Sequence, residues 1–327
     1  MLALVIGSLT LVTIGAFLVK FATADGDFTL LFKGRAKRER VEGKVVWITG
    51  ASRGIGEVLA GQFACLGAKL ILSARNVPEL ERVKIETIGK YPGANIEILP
   101  LDLASGEEAL KVAVQKAESL FSASGVDYMV HNAAFERPKR KALDETEEGI
   151  QATFNINVLG TITLTKLLAP SMLKRGGGHF IVMSSAAGKC PAPGQAIYSA
   201  SKHALNGYFH TLRSELYTEG IKVTVVCPGP IETSMTSGAG PSASGSSERR
   251  VSSERCAELT IVAATHDLKE AWISYQPVLL VMYLVQYMPT IGFWFMDKIG
   301  GNRLEAAKRN GDTYSWKLFF GEKKKTA

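Results

Sequence analysis

The sequence predicts an α/β fold, a doubly wound parallel sheet built by a single domain with additions at both ends. Three observations predict it. Short apolar runs, most of them rich in Val, Ile or Leu, recur along residues 44–227, each too short for a helix. Stretches of helical length and spacing separate them. A glycine-rich turn follows the first run directly.

The chain opens without a charged side chain from Met1 to Val19. That is close to the ~20 residues needed to cross a bilayer core. No polar stripe interrupts it, as a soluble core helix would require. A cleaved signal peptide is the rival, because Ala22-Thr23-Ala24 resembles a cleavage site. Against it, no Lys or Arg precedes the run, which exceeds the usual signal core of ~7–15 residues. The expectation is an uncleaved anchor over residues 1–22 and a basic linker over 23–43. Lys20, Lys33, Arg35, Lys37, Arg38 and Arg40 follow the span and place the downstream domain on the cytosolic side.

Strands are expected at Lys44–Thr49, Lys69–Ser73, Asn95–Leu101, Tyr128–Asn132, Phe180–Ser184 and Lys222–Cys227. Helices are expected at Pro78–Tyr91, Glu107–Phe121, Glu147–Lys174 and Ser199–Thr218. Right-handed crossovers then bring the strand-end loops to one edge, where a ligand binds. The domain is bounded at 44–265. Residues 236–253 are dominated by Gly and Ser and read as a mobile loop, either a substrate lid or a bare linker. An extension over 266–327 contains the very apolar stretch Ile273–Met296, broken by Pro277 and Pro289. It reads as a broken helix on the membrane or as a buried cap on the core. Lys323, Lys324 and Lys325 read as a solvated tail.

The formal net charge of +7 sits on the two ends, +3 over residues 1–44 and +4 over 303–327. A nucleic-acid-binding face on the main domain is therefore not expected, and contact of the ends with membrane lipid is. The four cysteines show no CxxC spacing, and the five histidines no ligand spacing, so no metal is expected.

The turn after the first strand reads Thr49-Gly50-Ala51-Ser52-Arg53-Gly54-Ile55-Gly56. Glycines let backbone N–H groups approach a pyrophosphate, and the helix that starts there offers its positive dipole end. This is the phosphate-binding device of a Rossmann fold. An NAD site carries Asp or Glu at the end of the second strand. Here the position reads Ser73-Ala74-Arg75. Arg75, with Arg53 from the turn, suits a 2′-phosphate and favours NADP(H), although Arg75 as a plain solvated charge and an NAD-dependent enzyme stay open.

Tyr198 and Lys202 are four apart, which puts phenol and ammonium on one face of a helix. A free phenol titrates near ~10 and is a poor base at neutral pH. A neighbouring ammonium favours the phenolate, so Tyr198 becomes an acid/base for a substrate oxygen. Ser185, thirteen residues earlier at a strand end, is placed to polarise that oxygen.

With TGASRGIG at 49–56, Asp102, HNAA at 131–134, Asn157 in NVLG, Ser185, YSASK at 198–202 and Pro228-Gly229 with Thr233, the chain resembles the short-chain dehydrogenase/reductase family. More narrowly, the anchor, ADGDFTLLF at 24–32 and DLKEAWISYQP at 267–277 resemble its membrane-anchored member 7 proteins. The resemblance implies Tyr198 as acid/base and Lys202 as ribose ligand and tuner. It implies Ser185 as carbonyl orienter and Asn157 as holder of a relay water. Asp102 is implied at the adenine, Leu103 and Asn132 at the cofactor, and Pro228, Gly229 and Thr233 at the nicotinamide. The membrane-seeking ends motivate a lipophilic carbonyl or alcohol substrate (steroid, retinoid or keto-lipid), used with NADP(H) at an endoplasmic-reticulum membrane, and a homodimer stays open. One departure is that the family usually has NNAG where this chain has His131-Asn132-Ala133-Ala134. A Gly-only backbone at Ala134 would be strained. That departure and the polar loop motivate a competing reading, a non-catalytic dinucleotide-binding scaffold.

Overall fold

The computed structural model describes residues 2–232 and 249–308. Thr233, most of the Gly/Ser segment and the Lys323–Lys325 tail lie outside the described residues.

Seven strands form one parallel sheet: β1 (Val45–Thr49), β2 (Lys69–Ser73), β3 (Asn95–Ile98), β4 (Tyr128–His131), β5 (Gly178–Met183), β6 (Ile221–Pro228) and, after a short pair, β9 (Glu270–Ile273). Their order is β3-β2-β1-β4-β5-β6-β9. The short pair β7 (Ile231–Glu232) and β8 (Val251–Ser252) stands apart and brackets the undescribed segment. The helices are α3 (Gly54–Cys65), α4 (Val77–Lys90), α5 (Glu107–Ala123), α6 (Glu147–Phe154), α7 (Thr161–Lys174), α8 (Ala196–Leu216) and α9 (Ser253–Thr265). Two helices precede β1, α1 (Leu2–Ala22) and α2 (Phe28–Leu31), and two follow β9, α10 (Val278–Tyr287) and α11 (Pro289–Lys308).

Strand side chains alternate between two cores. Val45 and Trp47 join a cluster with Leu110 of α5, Leu164 of α7 and Phe209 of α8. Val46 and Ile48 join a second with Leu59 and Phe63 of α3, Leu80 of α4 and Ile261 of α9. Every residue of β1 is buried, so the apolar run is continuous because both faces are covered. Trp47 spends its indole N–H on Ser73 Oγ at 2.8 Å, which satisfies its one polar atom inside the core.

The sheet reaches further along the chain than residue 265. β9 pairs with β6 through Val225↔Glu270 to Pro228↔Ile273, so the domain boundary expected at 265 cuts off the edge strand. The stretch expected as a basic linker is docked rather than loose. Asp27 donates its backbone N–H to Trp272 O at 2.9 Å. Its carboxylate accepts from Trp272 N at 2.7 Å and, at the other oxygen, from Thr29 N and Leu30 N to cap α2. Arg255 of α9 pairs with Asp25 at 2.7 Å. These bonds hold the end of α1 against the edge of the sheet.

The apolar extension turns out to be a helical hairpin that caps the core. Leu279, Met282 and Val285 of α10 and Met296 and Ile299 of α11 are buried in the first cluster. Pro289 opens α11, so the predicted break is a helix start. The outer surface of the hairpin is apolar too, with Tyr287, Met288, Ile291, Phe293 and Trp294 exposed. A row of aromatic rings runs from α1 to α10: Phe17 and Phe21 stack on Phe28 at 5.2 and 4.9 Å, and Tyr283 packs against Phe28 at a tilt, 5.2 Å away.

Candidate active site

The glycine turn sits at the C-terminal end of β1, the edge at which open parallel sheets bind ligands. Gly50 and Gly54 take φ of +66° and +59°, left-handed values that favour glycine. Gly56 is required for a different reason. A Cβ there would stand 2.2 Å from Gly50 O and 2.6 Å from Asn132 Nδ2. Asn132 holds the turn from β4, donating to Thr49 O at 3.0 Å and Gly50 O at 3.1 Å. From the outside, Arg82 donates to Ser52 O at 3.3 Å and pairs with Glu57 at 2.8 Å. Arg82 carries no motif in the sequence; only the packing of α4 on α3 brings it there.

A groove of ≈ 940 Å³ runs from this turn across the strand ends. Gly50, Ser52, Arg53, Gly54, Ile55, Arg75, Asp102, Leu103 and Asn132 line it, whereas Gly56, Lys202, Pro228 and Gly229 do not. Gly56 is buried beneath the turn and does not line the groove. The groove's glycines and its helix N-terminus fit the pyrophosphate of a dinucleotide.

A second cavity of ≈ 450 Å³ opens beside it. Ser185, Lys202, Pro228 and Gly229 line this one, together with Ala186, Cys190, Ala192, Val278, Val281, Met296 and Ile299. Pro228 and Gly229 thus stand on the second cavity rather than in the groove. Tyr198 borders both cavities, as do Ile55, Asn132, Ala134 and Glu136.

Lys202 is 2% exposed, and its Nζ lies 5.4 Å from the centre of the Tyr198 ring. The ammonium donates to Met183 O at 2.9 Å, where β5 ends. Burial pulls its pKa down to about 8, and the Glu136 carboxylate opposes that shift. Ser185 Oγ accepts from Ala187 N at 3.1 Å and keeps its own proton to donate.

Asn157 is the exception among the expected catalytic residues, for it lines neither cavity. It is 1% exposed within a π-helical turn, Asn155–Gly160, between α6 and α7. Its amide accepts from Phe135 N at 2.7 Å and donates to Phe135 O and Ser201 Oγ at 3.0 and 3.1 Å. These bonds tie the loop after β4 to the helix that carries Tyr198. A π-turn of this kind is common at functional sites.

The HNAA departure is harmless to the backbone. Among the described residues the non-glycine positions with positive φ are Phe121, Ser122, Ala123 and Asp267, so Ala134 is unstrained. His131 is buried and bonds Thr165 Oγ1 at 2.8 Å. Burial holds its pKa down at about 3, so it is a neutral core residue. Glu136, Gln195 and Arg303 also line the second cavity, and no motif in the sequence marks them.

Comparison with known proteins agrees with this geometry. A family model described as short chain dehydrogenase matches residues 44–243. The chain is 39% identical over 320 residues to human dehydrogenase/reductase SDR family member 7, covering 92% of each chain. The fold is similar to that of L-sorbose reductase from Gluconobacter frateurii complexed with NADPH and L-sorbose. That match has TM-score 0.64 and 25% identity, and covers 72% of this chain and 96% of that one. It is also similar to a metagenomic short-chain oxidoreductase in complex with NADP, with TM-score 0.61 and 27% identity, covering 72% of this chain and 98% of that one. A glycine turn on a parallel sheet, a Tyr–Lys pair at the meeting of two cavities and these likenesses converge: the chain belongs to the short-chain dehydrogenase/reductase family of oxidoreductases.

Proposed function

We propose that the chain is an NADP(H)-dependent oxidoreductase that interconverts a carbonyl and an alcohol on a lipophilic substrate, tethered to a membrane by α1. The observation that carries this reading is Tyr198, which borders both the glycine-turn groove and the apolar cavity. When bound, the dinucleotide supplies or accepts a hydride. The chain's own residues handle the proton and the oxygen. Tyr198 passes a proton to or from the substrate oxygen, and Ser185 donates a hydrogen bond to the same oxygen. The Lys202 ammonium favours the ionised phenol and so brings the proton exchange toward neutral pH. Asn157 acts by positioning, since its side chain reaches Phe135 and Ser201 rather than a cavity.

Preference for NADP(H) rests on Arg53 and Arg75 and on the absence of a carboxylate at the end of β2. Two structures of similar fold are complexes with NADPH and NADP, which supports the same choice. The walls formed by Ala186, Cys190, Val278, Val281 and Met296 suit an apolar substrate body. Support for the tether comes from α1, 21 residues long, with Val12, Ile14, Leu18 and Val19 exposed. The basic residues that follow it favour the cytosolic side for the domain, and the membrane we propose is that of the endoplasmic reticulum. Tyr287, Ile291, Phe293 and Trp294 on the hairpin present amphipathic and apolar side chains to the same lipid. The scaffold alternative loses one of its two supports, because Ala134 is unstrained.

The test is cofactor consumption by the full chain in detergent with a panel of lipophilic aldehydes and ketones. NADPH is consumed and NADH poorly. Arg75→Asp moves the ratio of the two kcat/KM values toward NADH by about tenfold or more, the scale of one charged hydrogen bond lost and one repulsion gained. An unchanged ratio removes Arg75 as a phosphate ligand, and no consumption of either cofactor removes the enzymatic reading.

A further inference from the structure

One short helical turn presents Ser185 to the second cavity, and that turn is braced from outside the site. Ser185 caps the turn Ala186–Gly188, and Lys189 closes it. Ala186, Ala187, Cys190, Pro191 and Ala192 around it form one wall of the cavity. Lys189 itself lines neither cavity. Its ammonium pairs instead with Glu270 Oε2 at 2.7 Å, the two side chains being 11% and 23% exposed. Its carbonyl accepts from Gln286 Nε2 of α10 at 2.8 Å, and the neighbouring Gly188 O from Asn206 Nδ2 of α8 at 2.7 Å.

Glu270 opens β9, the edge strand, which lies beyond the stretch that the family model matches. Three donors meet its carboxylate. Besides Lys189, Oε2 accepts from His210 Nε2 of α8 at 2.6 Å, and Oε1 accepts from Trp272 Nε1. Arg213 donates to His210 Nδ1 at 2.9 Å, which leaves a ring proton on the Nε2 that faces Glu270. Burial pushes the Glu270 pKa up, but the bonds from His210 and Lys189 outweigh it and hold the value at about 2. The carboxylate is therefore a full charge opposite the ammonium.

A turn this short is held by few bonds of poor geometry. A half-buried ion pair adds little to overall stability, yet it fixes one backbone position to another with a short, charge-assisted bond. Resting on the oxidoreductase reading, we propose that Lys189 and Glu270 are positioning residues: their pair locks the turn after β5 to the edge of the sheet and so holds the Ser185 hydroxyl on the substrate oxygen. The reaction then depends on a strand that touches neither substrate nor cofactor.

The experiment uses the full chain in detergent with NADPH and decanal, or whichever carbonyl of the panel wild type reduces faster. Lys189→Met keeps the side-chain length and leaves Glu270 its bonds to His210 and Trp272. It lowers kcat about tenfold or more, the scale of one hydrogen bond between charged groups, and leaves the NADPH dissociation constant within about twofold. Glu270→Gln does the same, and Lys189→Arg restores most of the rate. In a Ser185→Ala background Lys189→Met costs almost nothing further, because both changes remove one contact. Hydrogen exchange reads the lock without turnover. The amides of Gly188, Lys189 and Cys190, bonded to Ser185 O and Ala186 O, exchange about tenfold faster in Lys189→Met, while those of β1 and β4 keep their rates. An unchanged kcat, full additivity with Ser185→Ala, or unchanged exchange at those three amides overturns the proposal. Exchange that rises alike across the chain also overturns it and makes the pair a prop of the fold alone. Should Lys189→Met fail to fold, Glu270→Gln decides by the same measures. If wild type reduces no carbonyl of the panel, the oxidoreductase reading fails, and exchange at Gly188, Lys189 and Cys190 still judges the lock.

Discussion

Tyr198→Phe is expected to lower kcat by about three orders of magnitude while leaving the NADPH dissociation constant within twofold. The range is that of a positioned acid/base, roughly 10²–10⁴. The substitution removes one oxygen and keeps the ring, so the packing of α8 is preserved. Tyr198 is partly exposed where the two cavities meet, and the loss therefore falls on chemistry rather than on folding. Stopped-flow fluorescence of bound NADPH, followed by its decay with substrate, separates the two quantities. A variant that binds NADPH and still turns over within tenfold of wild type would assign the proton to another group. One that loses NADPH binding would make Tyr198 a binding residue.

Lys202→Met is expected to be at least as stable as the wild type and nearly inactive, with turnover down by about 10²-fold or more. Lys202 is among the largest fully buried side chains, and its ammonium has the Met183 carbonyl as partner. Its folded pKa of about 8 lies below the ~10.4 of an unfolded lysine. Between those two values the unfolded chain holds a proton that the folded chain has released, so stability rises with pH through the window. Below about pH 8 the fold carries the full penalty of a buried charge. An unbranched apolar side chain of similar length removes that penalty. Thermal melts at pH 7 and pH 9.5 should show an equal or higher Tm at pH 7 and a flatter rise toward pH 9.5. A methionine variant that unfolds, or that retains wild-type turnover, would contradict the assignment of Lys202 as a group kept for function against stability.

The parts of the molecule that were legible in the sequence are those with local causes. The glycine turn is written in eight consecutive residues because the backbone there must pass close to Asn132 and to a ligand. Tyr198 and Lys202 are legible because helix periodicity alone sets them on one face. Six of the seven sheet strands are legible as short runs; five are apolar because both faces are buried, and the edge strand β3 is only partly covered. The seventh was hidden. Glu270–Ile273 runs directly into the apolar hairpin, and only its pairing with β6 makes it a strand. Asp27 was hidden for the same kind of reason, since its partner Trp272 lies 245 positions away. Asn157 was legible as a functional residue, but its reach was not, because the amide turns toward Phe135. Arg303 carries no motif, and its place in the cavity follows from how α11 folds back on the core.

The most direct measurement is the crystal structure of the full chain with NADP+. The nicotinamide ring should lie where the groove meets the apolar cavity, with its reactive C4 facing that cavity. The Tyr198 hydroxyl and Ser185 Oγ should be within hydrogen-bond reach of one common point beside it, about 3 Å from each. A nicotinamide lodged elsewhere, or a Tyr198 hydroxyl turned away from that point with the cavity closed, would contradict the catalytic assignment and leave the fold alone standing.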